Sequence, residues 1–315
     1  MPRRRRLDVA GRTVFITGAA RGIGAATAQR LHAAGANVAL VGLEPELLEA
    51  LAARLGDRAA AFEADVTDFA ALQRAVAGTV TRFGAIDVAI ANAGISYIGR
   101  LATAPMEQVE RTLEVNLMGV WRTNRAVLDQ IVARRGYLLN IASLSAASHS
   151  PLMGAYTASK AGVEALTDCL RVETAPTGAR VGCAYFGFID TDLVQASFAH
   201  PSTQVMSELL PKFVVRPAPL GQAVDAIERA ITRRSARVWA PRYVGGMLAL
   251  RGVLQPLSEL QLTRSRQLPR ALALADPASG GLSDQHATLG VAAEAAAEPL
   301  GAAADAALRP GVTSG

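Results

Sequence analysis

The sequence predicts an α/β fold, a doubly wound parallel sheet of seven strands with helices on both faces, forming a single domain with a C-terminal extension. Short β-rich apolar runs alternate with longer Ala/Leu/Arg segments of helical composition from about Leu7 to Tyr243. Most of the apolar runs are too apolar to leave one face wet, so helices must cover the sheet on both sides. The first run ends in a turn crowded with glycine, and a helix-forming segment follows directly.

Taken in order, Val14–Thr17 is the first strand and Ala25–Ala34 the helix behind it. Val38–Val41 pairs with helix Glu46–Leu55, Ala60–Glu63 with Phe69–Phe83, and Val88–Ala91 with Glu107–Ala133. Tyr137–Ala142 leads into Ala155–Thr174, Arg180–Tyr185 precedes Leu220–Arg233, and Val238–Ala240 closes the sheet. The domain then spans 7–245, after a basic tail at 1–6. From Gly246 to Gln267, Met247, Leu248, Leu250, Val253, Leu254, Leu257, Leu260 and Leu262 sit among three arginines. That pattern predicts an amphipathic extension of one or two helices split by Pro256, docked on the domain, with a membrane-surface contact as the less favoured reading. Residues 268–315 become Ala, Gly and Pro-rich with little periodicity, which predicts a disordered tail.

Composition excludes several function classes. With 315 residues, 50% hydrophobic and 19% charged, the chain has ample core and is not globally disordered. Arg3, Arg4, Arg5 and Arg6 supply four units of the net +5, so the body is nearly neutral, which argues against nucleic acid as a partner. Cys169 and Cys183 form no CxxC pair, and His32, His149, His200 and His286 lack ligand spacing, so neither a disulfide scaffold nor a metal site is expected. Asp8, Gly11 and Arg12 interrupt what would be the apolar part of an export signal, and no run approaches the ~20 residues of a membrane span. The expectation is a soluble cytoplasmic protein.

The turn after the first strand reads Thr17-Gly18-Ala19-Ala20-Arg21-Gly22-Ile23-Gly24. Gly18 permits the tight turn, Gly22 lets backbone approach a pyrophosphate, Gly24 allows close packing of helix on sheet, and the helix N-terminus faces the anion. A Gly-rich turn that binds nothing is the bland alternative. A second constellation lies at Tyr156-Thr157-Ala158-Ser159-Lys160, where four residues of helix put a phenol and an ammonium on one face. An unperturbed tyrosine titrates near ~10, so it serves as an acid/base near neutrality only if a nearby cation favours its phenolate. Lys160 and Lys212 are the only lysines in a chain that otherwise carries its positive charge on arginine. Ser143 follows the fifth strand, where ligands of open α/β sheets gather. A hydrolase using Ser143 with His149 is disfavoured, because GxSxG is absent.

These motifs resemble the short-chain dehydrogenase/reductase family. Its TGxxxGIG signature is matched from Thr17 to Gly24, Asp65-Val66 stands where that family has its adenine-side aspartate, and Asn92-Ala93-Gly94 matches its NAG turn. The resemblance covers roughly Leu7 to Tyr243 and implies a Rossmann-type NAD(P)-dependent oxidoreductase interconverting a secondary alcohol and a ketone. It further implies that Ser143 holds the substrate oxygen, with Ser145 as the rival serine. Tyr156 exchanges the proton, Lys160 lowers the phenol pKa and binds ribose, and Asn116 holds a relay water. After the sixth strand the family has Pro-Gly and then a threonine; here Phe186 replaces the proline, while Ile189 backbone and Thr191 hydroxyl remain available for the carboxamide. Thr191 as a plain helix cap is the alternative.

At the end of the second strand stands Gly42-Leu43-Glu44, which meets neither the NAD nor the NADP rule. Arg21 in reach of a 2′-phosphate gives a weak lean to NADP, and Glu44 reaching the ribose hydroxyl is the NAD alternative. The segment carrying Leu193, Val194, Phe198, Met206, Leu209, Leu210, Phe213 and Val214 corresponds to the family's mobile substrate flap and predicts an apolar substrate; packing on the core or across subunits is the competing explanation. A 3-oxoacyl reductase is a substrate variant, and a catalytically weak dinucleotide-binding regulator or scaffold is the alternative of another class. The resemblance also implies a homodimer or homotetramer paired through Glu107–Ala133 and Ala155–Thr174.

Overall fold

The computed structural model describes residues 7–276 and the backbone of Thr288 and Leu289. The basic tail at 1–6 and the rest of the predicted disordered tail lie outside the described residues. In chain order the sheet strands are β1 (Thr13–Thr17), β2 (Asn37–Gly42), β3 (Ala59–Glu63), β4 (Val88–Ala91), β6 (Tyr137–Ile141), β7 (Arg180–Phe186) and β8 (Arg237–Ala240), and a short β5 (Ser96–Tyr97) pairs antiparallel with β9 (Thr288–Leu289). The seven form one parallel sheet in the order β3-β2-β1-β4-β6-β7-β8. Strand order reverses between β1 and β4, which opens a crevice at their carboxyl ends.

The helices covering the sheet are α1 (Gly22–Ala33), α2 (Pro45–Leu55), α3 (Phe69–Phe83), α4 (Met106–Leu113), α5 (Gly119–Ala133), α6 (Gly154–Thr174) and α10 (Leu220–Arg233). Strand residues alternate between the two layers they form. Val14, Ile16, Val38, Leu40, Val88 and Ile90 enter one core with Leu31, Leu48 and Ile227; Phe15, Ala39, Val41 and Ala89 enter the other with Leu72, Val127 and Ile131. Period-two alternation between two dry faces is why these strands contain so little polar sequence.

The helix expected over Glu107–Ala133 is interrupted. Between α4 and α5, residues Glu114–Met118 form a π-helical turn that closes with the Gly119 N–H on the Glu114 carbonyl. A side chain at Gly119 would sit 2.6 Å from Val66 Cγ2, so only glycine lets this turn approach β3's outgoing loop.

After β7 come α7 (Asp192–Ala199), α8 (Pro201–Ser207) and α9 (Lys212–Val215), and after β8 come α11 (Arg242–Ala249), α12 (Arg251–Thr263) and α13 (Leu268–Leu274). Two expectations are corrected here. Pro256 does not split the extension: it lies inside α12, and the break falls at Leu250. The bond Pro256 removes would have gone to the carbonyl of Gly252, an exposed residue, so no buried acceptor is orphaned. Residues 268–276 are not an irregular tail, because Ala271, Ala275, Leu268 and Leu272 of α13 pack with Met206 and Val205 of α8, together with Ile98, Leu152 and Leu262.

Candidate active site

Everything the sequence singled out at the glycine turn converges on the β1/β4 crevice. Gly18 and Gly22 have φ of +63° and +56°, which disfavour any side chain. A Cβ at Gly18 would lie 2.8 Å from Ala93 Cα, and one at Gly24 only 2.1 Å from the Gly18 carbonyl oxygen. Gly24 therefore serves the turn folding back on itself, where packing of helix on sheet was expected. Asn92 ties the two turns together: its Nδ2 donates to the carbonyls of Thr17 (3.0 Å) and Gly18 (3.1 Å), while its N–H and that of Ala93 reach Thr17 Oγ1. Thr17 had passed as part of the motif; its hydroxyl turns out to be the hinge pin of both loops.

Helix α1 begins at Gly22 without a side-chain cap, in contrast to α3, where Asp68 accepts from Ala70 and Ala71. An uncapped N-terminus behind three glycines, with Ile23 packed on the core, is a cradle of backbone N–H donors for phosphate oxygens. These residues fit a dinucleotide. Asp65 is half-buried at the adjoining edge, its Oδ1 accepting from Thr67 N at 2.8 Å, and Val66 is buried beneath it.

Past the crevice, α6 presents Tyr156 and Lys160 in its first turns. Lys160 is 4% exposed; its Nζ lies 5.6 Å from the Tyr156 ring centre and donates to the Ile141 carbonyl at 3.0 Å. Burial pushes the Lys160 ammonium down to about 8. Burial likewise raises the Tyr156 phenol, and the neighbouring Ser143 hydroxyl pulls it back, although part of the residue remains open to solvent. Ser143, buried at the end of β6, also donates to the Phe186 carbonyl at 3.3 Å and accepts from Ser145 N. The rival Ser145 is thus a neighbour that fixes Ser143. Phe186, in place of the family proline, is the last ladder residue of β7, opposite Ala240, so the sheet supplies the rigidity a proline ring would have given.

Asn116 sits in the π-helical turn with its side chain fully engaged. It accepts from Ile95 N and donates to Ile95 O, both at 2.8 Å, and donates to Ser159 Oγ at 3.2 Å. A Cβ on Gly94 would meet Asn116 Oδ1 at 3.2 Å and Lys160 Nζ at 3.5 Å, so Asn116, Gly94 and Lys160 share one corner. No local pattern along the chain marks Ile95 and Ser159 as the partners.

Thr191 caps α7, accepting from Val194 N at 3.4 Å, and its Cγ2 lies 3.7 Å from where a Gly22 side chain would start. It is a helix cap and a wall of the phosphate turn at once. Ile189 beside it is buried and bridged to Ala218. Arg21 does not reach freely into the site: it forms an ion pair with Glu44, with Nε to Oε2 at 3.2 Å. The two side chains weighed as rival cofactor determinants hold each other.

The predicted flap divides. Met206 and Leu209 turn toward α13 as packing residues, whereas Phe198 meets Phe188 with ring centres 4.9 Å apart. Among the described residues no three His, Cys, Asp or Glu side chains cluster as a metal site, and no helix is long and apolar enough to cross a membrane.

Comparisons with known proteins agree with this geometry. The short chain dehydrogenase family profile matches residues 12–202. A 2-(R)-hydroxypropyl-CoM dehydrogenase of Xanthobacter autotrophicus is 35% identical over 223 residues, covering 68% of this chain and 89% of that one. A 3-alpha-(or 20-beta)-hydroxysteroid dehydrogenase of Mycobacterium tuberculosis is 33% identical over 219 residues, 69% of this chain and 79% of the other. In fold, the chain is similar to a 3-ketoacyl-(acyl-carrier-protein) reductase from Brucella melitensis complexed with NADH, with TM-score 0.66 and 24% identity over 74% of this chain and 97% of that one. Sequence, architecture and relatives agree: the protein belongs to the short-chain dehydrogenase/reductase family and is an NAD(P)-dependent oxidoreductase that interconverts alcohols and ketones.

Proposed function

We propose that Tyr156 is the acid/base of the reaction, Ser143 the group that holds the substrate oxygen, and Lys160 the cation that favours the phenolate. The observation that carries this reading is the buried Lys160 ammonium standing 5.6 Å from the centre of the Tyr156 ring in the first turns of α6, with Ser143 buried just past the end of β6. A bound nicotinamide supplies or accepts the hydride. The chain's own work is to orient the carbinol between two hydroxyls and to move one proton at Tyr156 Oη. Asn116 is assigned to the proton relay as a positioning residue, since its amide fixes Ile95 beside Gly94 and Lys160. Gly18, Gly22, Ile23, Gly24, Asp65, Val66, Asn92, Ala93, Gly94, Ile189 and Thr191 line the dinucleotide site in this assignment.

The substrate is a secondary alcohol or ketone with an apolar body. The apolar flap residues Phe198 and Leu210 support this; they also line an open groove of about 930 Å³, whose remaining lining includes Gln195, Glu208, Lys212 and Arg216 and neither Ser143 nor Tyr156. The hydroxysteroid relative points the same way. NADP is the assigned preference: Gly42 brings no acid to the ribose, and Arg21 exchanges its Glu44 partner for a 2′-phosphate. Association through α5 and α6 is part of the reading, supported by exposed Trp121 and Val172 on those helices.

The test is a screen of apolar alcohols and ketones with both nicotinamides, read by absorbance of the reduced form, beside NADPH and NADH titrations of the wild type and Glu44→Gln. Turnover with NADPH preferred, sharpened in the variant, is the expected result. Preferential binding of NADH would refute the cofactor assignment, and failure of every alcohol would refute the substrate class.

A further inference from the structure

Helix α12 is apolar on two opposite sides, and only one of them is covered by the described residues. Toward the domain, Leu262 is buried, Arg251 pairs with Glu164 of α6 at 2.8 Å, and Gln255 accepts from His149 N at 2.8 Å. On the other side Leu250, Val253, Leu257 and Leu260 recur at spacings of three, four and three and form one stripe, with exposures of 57%, 61%, 57% and 47%. A helix that is apolar all round is normally buried all round. Isolated exposed leucines are ordinary; a straight row of four on a helix already docked by its other face is not.

The surroundings of the stripe indicate what covers it. From Arg242 to Asp276, five arginines stand against two acids, Glu259 and Asp276. Arg242, Arg264, Arg266 and Arg270 are all exposed, and Arg264 continues the line of the stripe. In a symmetric pairing of two copies this basic rim would face itself, which opposes self-association. An anionic surface complements it. The flap lies on the same side, because Gln261 Nε2 donates to the Leu209 carbonyl at 3.4 Å, one residue from exposed Leu210.

We propose that α12 is a docking helix for an anionic lipid bilayer, lying flat with its leucine stripe at the acyl boundary and its arginines among the headgroup phosphates. The binding does not depend on the chemistry assigned to Tyr156. It would bring the substrate flap to the lipid surface, since α12 also holds the loop between Ser143 and Tyr156 through Gln255.

The experiment is flotation of the full-length protein with vesicles of phosphatidylcholine alone or mixed with phosphatidylglycerol, comparing wild type, Val253→Glu/Leu257→Glu, Arg264→Glu/Arg266→Glu/Arg270→Glu and a chain lacking residues 1–6. All five substituted residues are exposed, and unchanged circular dichroism melting verifies the fold. The wild type is expected to float with the anionic vesicles only, both substitution sets to lose roughly tenfold in bound fraction, and removal of 1–6 to leave flotation in place. Flotation that survives both substitution sets but not removal of 1–6 would assign lipid binding to the Arg3–Arg6 run and overturn the proposal. So would absence of flotation, whether or not light scattering finds that Val253→Glu/Leu257→Glu dissolves an oligomer; if it does, the stripe is a contact between copies.

Discussion

The Lys160 ammonium stands 5.6 Å from the centre of the Tyr156 ring yet gives its hydrogen bond to the Ile141 carbonyl, not to the phenol. In the proposed mechanism its influence on the tyrosine is a through-space field, and burying the charge that supplies it has a stability cost.

Lys160→Met is expected to stabilise the unliganded protein while abolishing turnover. The folded chain releases the Lys160 proton near pH 8, the unfolded chain only near 10.5, so the charged form is penalised at neutral pH and stability rises between those values. Removing the charge should raise stability at pH 7 by about 3 kcal/mol, a gain that falls away above about pH 8 and is gone by about pH 11. Thermal melts of both proteins across that range check it; a variant less stable at pH 7 would contradict the burial argument.

Tyr156→Phe should leave the fold and cofactor affinity intact, since the ring stays in place above Lys160. Loss of the proton donor should lower kcat by about 10²–10⁴. Steady-state rates beside a fluorescence titration of reduced cofactor separate the two effects. Wild-type turnover in this variant would remove Tyr156 from the mechanism.

Gly24→Ala tests the phosphate cradle. The new methyl would collide with the Gly18 carbonyl at 2.1 Å and press on Asn92 Nδ2 at 2.8 Å, and both belong to the turn that must receive the pyrophosphate. Overpacking of this kind costs about 1–3 kcal/mol, and cofactor binding should weaken by more than the melting temperature alone suggests. Calorimetric titration of the variant provides the check.

His200 makes the flap sensitive to acid. Its Nδ1 accepts from Ser202 N at 3.3 Å as the cap of α8 and meets Ser202 Oγ at 2.7 Å; burial lowers its pKa below the usual 6.5. The cap's contribution is complete above that usual value and is lost as pH falls through the depressed one. Amide exchange across Pro201–Ser207 should quicken on acidification, and in His200→Ala it should be fast at every pH, with a loss of about 1 kcal/mol. Because the His32 pKa is lowered as well, global melts alone do not isolate this helix.

Much of this architecture was legible in advance because strands buried on both faces write themselves as unbroken apolar runs; β4 and α3 fall on their expected residues. The glycine turn and the Tyr156/Lys160 pair were legible because their chemistry constrains spacing along the chain. Contacts between distant segments left no such trace. Nothing local marks Arg21 as the partner of Glu44, 23 residues away, or Gln255 as the partner of His149, 106 away. The π-helical turn was hidden because the close approach that accompanies it, Val66 against Gly119, is tertiary. The extension departs from expectation at Pro256 and at 268–276 because a proline on an exposed helix face, and alanines that pack on α8, look like breakers and filler when read without their neighbours.

Asn92 clasps the carbonyls of Thr17 and Gly18 with a single amide group. The two sides of the crevice consequently form one solid receptor, already shaped before any nucleotide arrives. In the proposed reading, capture of a dinucleotide then needs no rearrangement of these loops and no loss of their freedom.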